Sequence, residues 1–61
     1  MMPKSGQLYF YVTGTFRFNN LYIEIHHANF RRGNHADEFR FRDGNYYGTR
    51  LEAAQAMKGG Q

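Results

Sequence analysis

From Leu8 to Phe18 the chain alternates with a period of two, and this rhythm limits its possible folds more than any other feature. The even positions read Leu8, Phe10, Val12, Gly14, Phe16 and Phe18. The odd ones read Tyr9, Tyr11, Thr13, Thr15 and Arg17. Successive strand side chains point to opposite faces, so one face is aliphatic and aromatic and the other carries phenols, hydroxyls and a guanidinium. The first set supplies a core. The second has the composition of a contact surface.

The alternation predicts a first strand over residues 7–18 and a return strand from Leu21 to about Phe30. Asn19-Asn20 between them suits a two-residue primed turn, because asparagine tolerates positive φ. That turn sets Phe18 opposite Leu21, Phe16 opposite Ile23 and Gly14 opposite Ile25, with Arg17, Thr15 and Thr13 opposite Tyr22, Glu24 and His26 on the other face. Core residues then meet core residues. The agreement decays at His27 and Asn29, and a bulge near His26–Ala28 would turn Ala28 and Phe30 inward. Gly14, mid-strand, marks a bend or a close approach of a helix.

Arg31 to Asp37 reads as a loop, and Glu38 to Arg42 alternates again with Phe39 and Phe41 inward. After an Asp43-Gly44 turn, Asn45-Tyr46-Tyr47 forms a short returning strand. Thr49-Arg50-Leu51-Glu52 has capping-box form, which starts a helix over residues 50–58 that Gly59-Gly60 stops. The expected fold is α+β in one domain spanning 1–61. A loose 1–6 precedes an antiparallel sheet of three strands, or four with the stub, over 7–47, and one C-terminal helix over 49–58 packs on one face. The expected core is Leu8, Phe10, Val12, Phe16, Phe18, Leu21, Ile23, Ile25, Phe39, Phe41, Leu51, Ala54 and Met57.

Sixty-one residues allow a single domain with a thin stability margin, since a chain of this size buries only about 60% of its unfolded surface. It has no cysteine, hence no disulfide and no thiolate. The opening Met-Met-Pro-Lys-Ser-Gly is too short and polar for a signal peptide, and no apolar run reaches membrane-spanning length. The expectation is a cytoplasmic protein with no membrane partner. The net charge of +3 comes mostly from arginine, which suits specific recognition better than lysine does.

The expected contact surface is the tyrosine–arginine face of Tyr9, Tyr11, Arg17, Tyr22, His26, Arg40 and Arg42, joined by the adjacent loop arginines Arg31 and Arg32. Tyrosine and arginine dominate protein–protein hot spots and also stack on bases. Glu24 and Glu38 on the same expected face disfavour phosphate, which weights the reading towards a protein. No catalytic residue, cofactor or metal is expected. The lone Ser5 has no catalytic partners, and no carboxylate pair flanks a cleft. His26 and His27 point to opposite faces, and His35 with Asp37 makes two ligands where zinc needs three or four.

The layout of antiparallel strands followed by one C-terminal helix is similar to the arm-binding domains of tyrosine integrases and to plant AP2 domains. That resemblance implies a sheet face placed in the DNA major groove. In size and lack of reactive chemistry the chain also resembles the very small proteins with which phages block host enzymes, anti-CRISPR proteins among them. The expected function is therefore a non-catalytic binding protein that docks on a larger protein or protein–nucleic acid complex as an inhibitor or adaptor. The alternative is direct DNA or RNA binding through the same face. A second copy of the chain is a further partner to consider.

Overall fold

The computed structural model describes residues 2–59. Two antiparallel strands, β1 (Leu8–Arg17) and β2 (Asn20–Asn29), are followed by two helices, α1 (His35–Arg42) and α2 (Arg50–Gly59). The β-β-α-α order corrects the expected three- or four-stranded sheet with a single helix. The fold remains α+β with an antiparallel sheet.

The hairpin pairs without interruption from Leu8↔Asn29 to Arg17↔Asn20. Its two-residue loop is Phe18-Asn19, not Asn19-Asn20, and both residues have positive φ, 50° and 67°, as a type I′ turn requires. Moving the turn by one residue slides the register by two. Phe16 therefore faces Leu21, Gly14 faces Ile23 and Val12 faces Ile25. An even slide keeps every side chain on its face, so the division into faces survives while the partners change. The regular ladder also dispenses with the expected bulge. A β-carbon on Gly14 would lie 3.5 Å from side-chain carbons of Leu21 and Ile23, an ordinary contact, so this glycine marks no close approach of a helix.

Residues 38–42, expected as strand, are helical. Phe39 and Phe41 fit a period of two, but the local signals favour a helix. The Asn34 side chain accepts a hydrogen bond from the Asp37 N–H at 3.0 Å, capping α1. Acidic Asp37 and Glu38 lie in its first turn and basic Arg40 and Arg42 in its last, each charge set against the helix dipole end it favours. In a helix Phe39 and Phe41 cannot share a face. Phe39 is exposed, while Phe41 meets Phe30 and Tyr46 edge-on.

The stub fourth strand expected at residues 45–47 shrinks to one bridge, Phe10↔Tyr47, whose backbones exchange hydrogen bonds of 2.8 and 2.9 Å. Beside it the Asn45 carboxamide receives the Val12 N–H and donates to the Val12 C=O, both at 2.8 Å, so a side chain takes the place of another strand. The α2 capping box forms as expected, with the Glu52 N–H donating to Thr49 Oγ1 and the Thr49 N–H to Glu52 Oε1, each at 3.1 Å. Part of the expected stop at Gly59-Gly60 lies outside the described residues. Ser5 and Gly6 are hydrogen-bonded to the end of β2 and the loop after it. Gly6 N–H donates to the Phe30 carbonyl at 2.6 Å, Asn29 donates to the Gly6 carbonyl at 3.0 Å, and Arg32 N–H to Ser5 Oγ at 3.2 Å.

The most deeply buried strand side chain, Tyr9, lies on the face expected to be outside, while Arg50 at the start of α2 lies over Phe10 on the other face. Tyr9, Phe30 and Ala53 are the buried apolar residues among those described, with Tyr46 stacked on Tyr9 at 4.7 Å between ring centroids. Of the expected core, Leu8, Phe16, Phe18, Leu21, Ile23, Phe39 and Leu51 are exposed. Phe10, Val12, Ile25, Phe41, Ala54 and Met57 are half-buried. Length explains much of this. Ten-residue strands run about 33 Å, close to the molecule's 36 Å long axis. Helices of eight and ten residues reach only about 12 and 15 Å. They cover the base of the hairpin and leave its far half bare.

Candidate functional site

Three of the residues read as a contact surface, Tyr9, Tyr11 and Arg40, belong to an internal network. The buried Tyr9 hydroxyl donates to Asp37 Oδ1 and accepts from Arg40 Nη1 at 2.8 Å. Arg40 also bonds Asp37 at 3.3 Å, and its guanidinium lies over the Tyr11 ring, 3.8 Å from the centroid. The Tyr11 ring stacks in turn beside His26 across the strand pair. The second Asp37 oxygen receives the Arg31 N–H at 3.1 Å. The i, i+3 spacing on α1 puts Asp37 and Arg40 on one helix face, so the helix carries both charges to the tyrosine at once.

The electrostatics follow from this geometry. Burial, reinforced by the bond to Asp37, raises the Tyr9 pKa above its ordinary value of 10.0, with Arg40 pulling the other way. Burial works against the Arg40 charge, but its bond to Tyr9 and the attraction of Tyr9, Tyr11 and Asp37 more than offset this. The network keeps a neutral phenol between a carboxylate and a guanidinium. Such a phenol is a structural hydrogen-bond bridge.

The remaining expected contact residues are dispersed. Arg17 and Tyr22 are exposed near the hairpin tip, two pairs apart in the ladder. Arg31 and Arg32 are exposed in the loop after β2, where the Arg32 Nε–H reaches the Pro3 carbonyl at 3.4 Å. Arg42 is exposed at the end of α1. His26 is exposed and lies 3.2 Å from Glu24. Among the described residues no three metal-ligating side chains come together, and no helix is long and apolar enough to cross a membrane.

Sequence reasoning missed a surface that the structure makes plain. Phe16, Phe18, Leu21 and Ile23 form an exposed apolar group on the far half of the hairpin, with Phe18 92% and Phe16 75% accessible. These were expected as core because they lie on the apolar face. Element length was the available signal, since no helix in so short a chain reaches that far. Phe18 also stands in the left-handed region, where a bulky side chain costs on the order of 1–2 kcal/mol. No family model, curated protein or solved structure matches the chain.

Proposed function

We propose that this is a non-catalytic binding protein that docks the far half of its hairpin on a larger protein. The supporting observation is Phe18, a fully presented phenylalanine at a turn position that glycine or asparagine would fill without strain. Strained residues persist where function holds them. Phe18 and its neighbours Phe16, Leu21 and Ile23 supply the apolar centre of the contact, and Arg17 and Tyr22 supply its rim. This moves the centre of the contact away from Tyr9, Tyr11 and Arg40, which are engaged with one another.

The other exposed arginines, Arg31, Arg32, Arg42 and Arg50, favour a partner with acidic surface or bound polyanion. We therefore propose a nucleic-acid-processing protein as the partner class, with this chain as its inhibitor or adaptor. Direct nucleic-acid binding through the expected tyrosine–arginine face is less well supported, because Tyr9 is buried and Arg40 covers the Tyr11 ring.

Affinity capture from the native host, followed by titration of the purified partner, tests the proposal. Phe16→Ser and Phe18→Asn together should weaken binding by about thirtyfold or more, as loss of hot-spot residues does. Equal affinity of the double variant and the wild type would remove the hairpin tip from the contact. Oligonucleotide binding that falls steeply with salt would favour the nucleic-acid reading instead.

A further inference from the structure

The two edges of the hairpin differ. Phe10 and Val12 turn their backbone groups outward from β1, where Tyr47 and the Asn45 side chain take them up. Antiparallel pairs alternate, so the residues opposite these also face their polar groups away from the ladder. By the same alternation, Leu21, Ile23, Ile25 and His27 present free N–H and C=O groups along the outer edge of β2. Among the described residues none of these outward groups has a hydrogen-bond partner.

This edge lacks the usual guards. Asn20–Asn29 contains no lysine, arginine or proline, and its register shows no bulge. In a chain of net charge +3, it is a strand whose only formal charge at neutral pH is Glu24. Its pattern also reads the same in both directions about Ile23. Leu21 and Ile25 flank it on the apolar face, and Tyr22 and Glu24 flank it on the other.

We infer that β2 pairs with β2 of a second copy, antiparallel, about a two-fold axis through Ile23. In that register Ile23 faces its own counterpart and Leu21 faces Ile25 of the second copy, all of them residues whose backbone groups point into the new ladder. Tyr22 falls opposite Glu24 of the second copy, which sets a phenol donor against a carboxylate rather than like charges against each other. A register shifted by two residues would set Ile23 against Ile25 but Leu21 against His27 and Glu24 against its own counterpart, or Ile23 against Leu21 but Ile25 against Asn19, and one shifted by a single residue either way would set Ile23 against a residue of the other face. Apolar matching selects the first. Because residues 45–47 take up the outward groups of Phe10 and Val12, β2 offers the longer free edge, and pairing through it about a two-fold axis gives two copies and a four-stranded sheet. The inference stands apart from the proposed docking partner and gains from it, since a dimer would place two apolar hairpin faces side by side.

The test is sedimentation of the full chain over a concentration series reaching about 1 mM, with amide hydrogen exchange at both ends of the series. The expected result is twice the chain mass at high concentration, with the Leu21, Ile23 and Ile25 amides becoming protected as the dimer forms. Ile23→Lys places two ammonium groups together at the axis and should raise the dissociation constant by at least about tenfold. Phe18→Asn, off the edge, should leave it unchanged. A monomer throughout the series overturns the inference. So does a dimer in which those three amides exchange as fast as in the monomer, a reading that needs no variant.

Discussion

The Tyr9 hydroxyl and the Arg40 guanidinium, 31 positions apart in the chain, are joined at 2.8 Å, and this bond ties α1 to the strand pair. Asp37 completes the triangle from within the same helix. The helix is too short to persist on its own in water, so its place depends on this bridge and on the Phe41–Phe30 contact.

Tyr9→Phe should therefore destabilise the fold. The change keeps the ring and its stacking on Tyr46 but strips a donor from the buried Asp37. Loss of a hydrogen bond to a charged group costs about 1.5–3 kcal/mol. Urea denaturation should show a lower midpoint with an unchanged slope. A midpoint within error of the wild type would mean that the bridge contributes nothing.

Stability should fall in alkali. Burial raises the folded-state pKa of Tyr9, where the bond to Asp37 adds to it, and also that of Tyr46, so above pH 10 the unfolded chain releases protons that the folded chain holds. This stabilisation is fully present below the unfolded value of 10.0 and is lost as pH rises through the folded one. Thermal unfolding between pH 8 and 11 should show a falling midpoint, less steep in Tyr9→Phe. A flat profile would contradict the burial of these phenols.

Tyr46→Phe should behave differently from Tyr9→Phe. The Tyr46 hydroxyl is buried and has no hydrogen-bond partner among the described residues. An unsatisfied buried hydroxyl costs about 1–3 kcal/mol, so removing it should leave stability unchanged or raise it by about 1 kcal/mol. Destabilisation of comparable size would reveal a partner for that oxygen.

Phe18→Asn separates stability from binding. Relief of the left-handed phenylalanine should raise stability by about 1 kcal/mol. The same change deletes the most exposed ring of the proposed contact. A more stable hairpin that binds its partner less well is the expected pair of results, read by denaturation and titration on one sample. A stabilised variant with full affinity would leave the strain without a function.

The hairpin, the separation of its two faces and the capped helix at Arg50 were all legible in the amino-acid order. Each depends on near neighbours: a period of two, a turn between strands, and a threonine three residues before a glutamate. The helical state of residues 35–42 was legible in part, through Asn34 and the acidic-then-basic order along the segment, but Phe39 and Phe41 also fit a strand. Only the tertiary structure decided which face buries its side chains most fully. Alternation distinguishes two faces without ranking them. The ranking came from Asp37 and Arg40 arriving over the tyrosines with the hydrogen bonds that a buried phenol requires, while two short helices could not reach the phenylalanines at the other end.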